Sequence, residues 1–223
     1  MILMLNCSYK GKKSNTRYFF DVLAAEVRKR EAEREQTKVG LEREATAGNT
    51  VEYEIVNIKD VLTGDIELFV KRLKDADALI IGAPLYVDGL PAQAVKLMEE
   101  LLEHHKGQFP DLPVYVISNL GFYESIQIKN LLAIVRNWCA RMGMTYGGGI
   151  AIGAGPMFSA LRKMPVHRWP NQKLGNAMKE MAEAVMSGNV MDDCYLQSGI
   201  PRWGYVMAAH RMFGQEIKKN CGK

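Results

Sequence analysis

Five short apolar segments, each followed by a stretch with helical spacing, constrain the fold of this 223-residue chain. The segments lie at residues 2–5, 51–55, 77–83, 114–118 and 144–152. The third segment is apolar on both faces, which is typical of a buried central strand. The second alternates apolar and charged residues, which predicts an edge strand. Strand and helix in repeated alternation predict an α/β fold with a parallel sheet and helices on both faces.

Apolar residues at helical spacing predict which helix faces lie inward. The predicted inward positions are Phe19, Leu23 and Val27; Ala94, Leu97, Met98, Leu101 and His105; Ile128, Leu131, Leu132, Val135, Trp138 and Met142; and Leu174, Met178, Met181 and Val185. A further short helix is expected over residues 66–75, and residues 157–170 have no regular pattern. Residues 28–50 are mostly charged, which predicts a solvated helix extension or a mobile loop. The glycine run 147–149 is expected to provide strand curvature.

Composition narrows the class of protein. A hydrophobic content of 48% suffices for one core, which we assign to a domain at 1–190 followed by an extension at 191–223. The net charge of +4 is too weak to indicate nucleic acid and is compatible with an anionic small molecule. The four cysteines form no C-x-x-C motif, so no metal site is expected. With neither a signal peptide nor an apolar stretch of about 20 residues, we expect a reduced, cytoplasmic protein without membrane insertion.

The loop from Asn6 to Thr16 joins the first strand to the first helix, an arrangement that forms an anion site at the helix N-terminus. Its potential phosphate ligands are Ser8, Ser14, Asn15 and Thr16, with charge from Lys10, Lys12 and Lys13. The alternative is an ordinary loop in which Ser14, Asn15 or Thr16 caps the helix. Because ligands bind beyond the carboxyl ends of parallel strands, the loops after the first, third and fourth strands are expected to meet.

Two motifs resemble those of flavodoxin-like NAD(P)H-dependent FMN reductases. Ser8, Lys10, Ser14, Asn15 and Thr16 match the phosphate loop G-S-x-R-x-x-S-N-T, with lysine in place of arginine, so the charge is kept without the bidentate grip. The stretch 77–91 is similar to the second motif, a strand followed by Pro-x-Tyr, a short loop and proline before a helix. The resemblance covers roughly residues 1–190. It implies a flavodoxin-like, five-stranded sheet of order 2-1-3-4-5.

The resemblance also implies FMN as cofactor, NAD(P)H as hydride donor and a small electron acceptor such as a quinone, azo or nitro compound or free flavin. The phosphate would contact the first loop. The flavin ring would contact two further loops, at Pro84, Leu85, Tyr86 and Val87 and at Asn119, Leu120, Gly121 and Phe122. Core packing is the alternative role for the two aromatic residues. No catalytic side chain is expected, since the flavin supplies the redox chemistry.

Two other functions are considered. Residues 7–14 have the spacing C-x5-K-S, similar to the C-x5-R-S loop of low-molecular-weight tyrosine phosphatases, in which Cys7 would be the nucleophile. Lys13 replaces the arginine of that loop, and no general acid is evident. A flavodoxin-type electron carrier without NAD(P)H turnover is the other alternative, although such carriers are usually strongly acidic.

The extension contains an amphipathic basic helix with Val206, Phe213 and Ile217 on one face. It is expected to dock on its own domain, on a second subunit or on an anionic membrane surface. Because the resembled reductases commonly build the flavin cleft between subunits, we expect a homodimer or higher homo-oligomer, with Trp203 and Tyr205 near the acceptor.

Overall fold

The computed structural model describes residues 1–39 and 51–221. Its centre is a parallel sheet of six strands in the order β2-β1-β3-β4-β5-β6. The strands are β1 (Ile2–Asn6), β2 (Tyr53–Asn57), β3 (Ala78–Pro84), β4 (Pro113–Asn119), β5 (Thr145–Ile152) and β6 (Cys194–Leu196). The predicted fold class and the order of the first five strands are confirmed, but the predicted strand number was one too low.

Eight α-helices connect and follow the strands in the described ranges. They are α1 (Asn15–Val39), α2 (Ile58–Thr63), α3 (Ile66–Lys74), α4 (Ala92–His104), α5 (Lys129–Met142), α6 (Gly155–Ala160), α7 (Gln172–Ser187) and α8 (Arg202–Cys221). The charged segment continues α1 as far as residue 39, as the helix-extension prediction requires, and residues 40–50 lie outside the described residues. Helices α2 and α6 were not predicted, because six residues are too few to show a period.

Two apolar clusters cover the two faces of the sheet. One packs α2, α3, α4 and α5 against the sheet, and the other packs α1, α6 and α7 against the opposite face. All of the predicted inward positions are buried, including the polar residue His105. The helical spacing therefore identified the core correctly on both faces.

The glycine run in β5 makes room for a buried tyrosine. A side chain at Gly147 would lie 2.6 Å from the ring of Tyr115, and Gly148 has a φ of +108° at a shift in the β4–β5 register. The Tyr115 hydroxyl donates to the carbonyl oxygens of Ala184 (3.0 Å) and Asn189 (2.7 Å), and burial raises its pKa to about 12. The run thus provides both a bulge and close packing, more than the curvature predicted for it.

The sixth strand lies inside the predicted extension. Asp193, beside β6, accepts hydrogen bonds from Tyr146 of β5 (2.7 Å) and from Arg136 of α5 (2.5 Å). Three residues without alternation give no strand pattern in the sequence, which explains why β6 was missed. The division of the chain into a domain at 1–190 and an extension at 191–223 remains a prediction. Within residues 1–39 and 51–221, no helix has the length and apolarity that crossing a bilayer requires.

Candidate functional site

The carboxyl ends of β1, β3 and β4 meet at one edge of the sheet, and we call their three loops the rim. Asn119, at the end of β4, joins them. Its carbonyl oxygen accepts from the Leu85 N–H of the β3 loop at 2.8 Å, and its side-chain Nδ2 donates to Thr16 Oγ1 at 3.1 Å. The expectation that these three loops lie together is confirmed. One buried asparagine therefore fixes the relative positions of all three loops.

Asn6 organises the β1 loop from within. Its fully buried side chain accepts from the Ser8 N–H at 3.1 Å, and its Nδ2 lies 3.0 Å from the Gly11 carbonyl oxygen. The same Nδ2 is 3.2 Å from Asn57 Oδ1 of the neighbouring strand. From the sequence alone, Asn6 was considered only as the first residue of the loop. The sequence feature that could have revealed this role is an amide side chain at the last position of an otherwise apolar strand.

Ser14 caps α1. Its hydroxyl accepts from the Arg17 N–H at 3.0 Å and donates to the Gly11 carbonyl oxygen at 2.7 Å. Both hydrogen bonds join the hydroxyl to backbone groups of the loop and the first helical turn. Ser14 therefore acts as the helix cap that the alternative interpretation predicted. In this conformation the hydroxyl hydrogen of Ser14 is used within the loop, and its contact with a phosphate remains a prediction.

Other groups of the β1 loop remain free to bind an anion. In the part of the chain that the structure describes, the N–H groups of Asn15 and Thr16 have no acceptor, and the Ser8 hydroxyl has no partner. These N–H groups belong to the first turn of α1, where the helix dipole favours negative charge. Lys10 is exposed at the same loop and adds positive charge. The donors match the terminal phosphate of a mononucleotide.

The β3 loop is a tight turn held by paired backbone hydrogen bonds between Tyr86 and Gly89, each 3.0 Å long. Its two central residues, Val87 and Asp88, have φ values of +46° and +60°. A β-branched residue in this conformation is strained, and such strain concentrates at ligand sites. The Tyr86 side chain is 41% exposed, and burial, followed by the proximity of Tyr9, raises its pKa. Tyr86 is thus a neutral aromatic at the site surface and is not a core residue.

The β4 loop presents an open backbone and an aromatic side chain. Asn119 and Leu120 are buried, whereas Gly121 is exposed and a side chain there would meet no protein atom within 4 Å. Phe122 is 69% exposed, which excludes the core-packing role considered for it. The rim therefore leaves room for a planar ring beside Gly121, with exposed aromatic side chains on the β3 and β4 loops.

Cys7 faces away from the rim. Its side chain is fully buried in the apolar cluster that packs α2–α5, and burial raises the pKa of its thiol to about 12. A nucleophilic cysteine needs an accessible thiolate with a lowered pKa. The structure contradicts the phosphatase alternative on both counts.

Helix α8 begins beside the β4 loop. The Tyr205 hydroxyl donates to the Gly121 carbonyl oxygen, the Tyr123 hydroxyl donates to the Ile200 carbonyl oxygen at 3.1 Å, and Arg202 pairs with Glu124 at 2.8 Å. Beyond these contacts the helix leaves an apolar groove of about 670 Å³ against the β4 loop and α6. Tyr205 lines this groove, whereas Trp203 is exposed and does not, and the expected position of both residues near the acceptor remains a prediction.

Known proteins with solved structures share this architecture. The P. pentosaceus NADPH-quinone reductase is 14% identical, and the match covers 82% of this chain and 97% of that one with a TM-score of 0.54. The Streptococcus pneumoniae TIGR4 flavodoxin is 14% identical over 84% and 98% of the two chains, with a TM-score of 0.52. RosB, solved with bound 8-demethyl-8-formylriboflavin-5'-phosphate, is 12% identical over 96% and 86%, with a TM-score of 0.57. At these identities the matches show a flavodoxin-like fold.

The sequence itself identifies the family. The model of the NADPH-dependent FMN reductases matches residues 1–155, and the chain belongs to this family. The protein is therefore a flavin oxidoreductase that uses FMN with NAD(P)H. A search of curated proteins finds no match. The free N–H groups of the β1 loop and the open space at Gly121 fit the phosphate and the ring of FMN.

Proposed function

We propose that this protein transfers hydride equivalents from NAD(P)H to a small acceptor such as a quinone, an azo or nitro compound or free flavin. The observation that carries the proposal is the pair of Asn119 hydrogen bonds that joins the three rim loops into one site. When bound, FMN supplies the two-electron chemistry. The share of this chain is to bind and orient the cofactor and to leave one face of its ring accessible.

Each rim loop has a proposed role. The N–H groups of Asn15 and Thr16, the Ser8 hydroxyl and the Lys10 ammonium group would hold the phosphate, while Ser14 positions the helix start. Two loop segments would line the flavin ring, with backbone atoms as hydrogen-bond partners: Pro84, Leu85, Tyr86 and Val87, and Asn119, Leu120, Gly121 and Phe122. The strained turn at Val87 and Asp88 supports this assignment, because it holds the Tyr86 side chain outside the core.

The test is a spectrum followed by steady-state turnover. The purified protein, loaded with FMN, should absorb in the visible range and release a yellow chromophore on heating. It should then oxidise NADPH or NADH when a naphthoquinone or free flavin is supplied. Bound FMN without turnover for any acceptor would favour the electron-carrier alternative and contradict the proposal. Absence of FMN binding would contradict the rim assignment itself.

We further propose a cytoplasmic homodimer. NAD(P)H is available in that compartment, and cysteines stay reduced there. Exposed apolar residues on the outer side of α8, among them Trp203 and Met207, support a subunit contact. Light scattering should give a dimeric mass for the full chain and a monomeric mass for a chain that ends at residue 201. A dimer that persists without α8 would contradict the proposed contact.

A further inference from the structure

We infer that the groove under α8 is the acceptor site and that it selects uncharged aromatic acceptors over anionic ones. This inference rests on the proposed function and deepens it. Most of the groove lining lies after residue 155, where the family match ends, and only Gly121 and Phe122 of the described lining lie within that match. Its volume of about 670 Å³ lies within the range of small-molecule sites, about 300–1,000 Å³.

The groove is continuous with the proposed ring site. Gly121 and Phe122 line the groove and also form the β4 part of the rim. The Tyr205 hydroxyl donates to the Gly121 carbonyl oxygen, which holds the first turns of α8 at this junction. An acceptor in the groove would therefore lie next to the place where electrons leave the cofactor.

The lining is predominantly apolar. One wall consists of Pro156, Met157 and Ala160, and the opposite wall includes Val206, Met212 and Phe213 of α8. Among the described lining residues, the ionisable side chains are Tyr205 and His210, and the tyrosine hydroxyl is already bonded. Arg202, near the start of α8, is paired with Glu124. Because no lysine or arginine is among the described lining residues, a sulfonate or phosphate in this groove would lose its hydration against a mainly apolar wall, with His210 as the nearest group that can carry positive charge, which is unfavourable.

The occupant that fits is a neutral fused aromatic acceptor, for example a 1,4-naphthoquinone. Its ring would pack against the two methionines and Phe213, since thioethers pack well against aromatic faces. In the overall reaction NADPH is oxidised to NADP⁺. The quinone gains two electrons and two protons, one of them from the hydride and one from solvent, and leaves as the hydroquinone.

The experiment compares kcat/KM for 2-methyl-1,4-naphthoquinone and for 1,4-naphthoquinone-2-sulfonate, with FMN-loaded enzyme at low salt. Met212→Lys adds one cation to the groove wall. Gln215→Lys adds the same cation to the same helix at an exposed position outside the groove. Both positions are exposed, so neither substitution should prevent folding, and the flavin spectrum reports that the site is intact. The different intrinsic reactivities of the two quinones cancel when each variant is compared with wild type.

We expect Met212→Lys to shift the ratio of the two kcat/KM values about fivefold or more towards the sulfonate, because the new ammonium group would lie a few ångströms from the sulfonate and attract it. We expect Gln215→Lys to shift the ratio less than about twofold. If both variants turn over the quinones and the ratio of the kcat/KM values shifts equally in both or in neither, the groove assignment is overturned. The proposed function then stays in place. If Met212→Lys, but not Gln215→Lys, had a lower molecular mass in solution than wild type, a second copy of the chain would fill the groove in the wild-type protein. That result would also overturn the groove assignment. Bound FMN without turnover for either quinone would overturn the proposed function and this inference together.

Discussion

The rim and the α8 extension meet at Gly121 but are built in different ways. The rim is held by buried amide side chains, Asn6 and Asn119, whose hydrogen bonds connect separate loops. Helix α8 is held at its first turns, and apolar side chains such as Phe213 remain more than half exposed. A preorganised site keeps a cofactor with little ordering cost, whereas a loosely packed wall can accommodate different acceptors. We therefore propose that cofactor affinity resides in the rim and acceptor choice in the extension.

The largest effect is expected for Asn6→Ala. The substitution leaves the buried Ser8 N–H without its acceptor, which costs about 1–3 kcal/mol, and removes one of the donors to the Gly11 carbonyl oxygen, which keeps its bond from Ser14. The dissociation constant for FMN should rise about 10- to 100-fold, measured by the quenching of flavin fluorescence on titration. Asn57→Ala removes one contact of the same amide and should have a smaller effect. Equal FMN affinity in wild type and Asn6→Ala would show that the rim is not preorganised by this residue.

Gly121→Ala tests the junction of the two regions. A methyl group there meets no protein atom within 4 Å, so the stability of the FMN-free protein should stay within about 0.5 kcal/mol of wild type. The FMN dissociation constant should rise about tenfold, because the methyl group would occupy the space of the ring and an overpacked contact costs about 1–3 kcal/mol. Gly214→Ala is the matched control, since that glycine of α8 is also open. Unchanged FMN affinity in Gly121→Ala would place the ring elsewhere.

Cys7→Ala tests the core beneath the rim. Its expected effects are a small loss of stability from the cavity and unchanged NAD(P)H oxidation, since the thiol faces away from the site. Loss of turnover with FMN still bound would contradict that orientation and restore a chemical role for the thiol.

The same variant should alter the dependence of stability on pH. The pKa of Cys7 is raised from 9.0 to about 12 in the folded protein. Below pH 9 both states keep the proton, and above pH 9 the unfolded chain loses it first, so unfolding becomes easier as the pH rises towards 12. The free energy of unfolding, measured with urea, should therefore fall less steeply for Cys7→Ala than for wild type between pH 9 and 11. The difference should approach about 1.4 kcal/mol per pH unit.

Only a small effect on the cofactor is expected for a chain that ends at residue 201. It keeps β6 and all rim loops and loses the contact of Tyr205 with Gly121. FMN affinity should stay within about threefold of wild type, because the lost hydrogen bond is exposed to solvent and therefore contributes near the lower end of the usual range of about 0.5–1.5 kcal/mol. The preference between neutral and anionic quinones should disappear. A tenfold loss of FMN affinity would contradict the division of roles between rim and extension.

The sequence predicted the sheet, both helical faces and the convergence of three loops, because those features follow from periodicity and from parallel topology. It did not predict β6, since three residues held by the side chain of Asp193 have no periodic pattern. The structural role of Asn6 was also missed, because its partners lie in a different strand and across the loop. Ser14 illustrates a further limit: the same residue type serves as phosphate ligand or helix cap, and only hydrogen-bond geometry distinguishes the two.

The short β6 also has a consequence for colloidal behaviour. Without it, the glycine-rich and apolar β5 would be the outermost strand, with free N–H and C=O groups that other chains can pair with. Because β6 has only three residues and is anchored by the charged pair of Asp193 and Arg136, it covers residues 150–152 of this edge without offering a long new one. Proteolytic cleavage between α7 and β6 would therefore be expected to cause self-association before any loss of the remaining sheet.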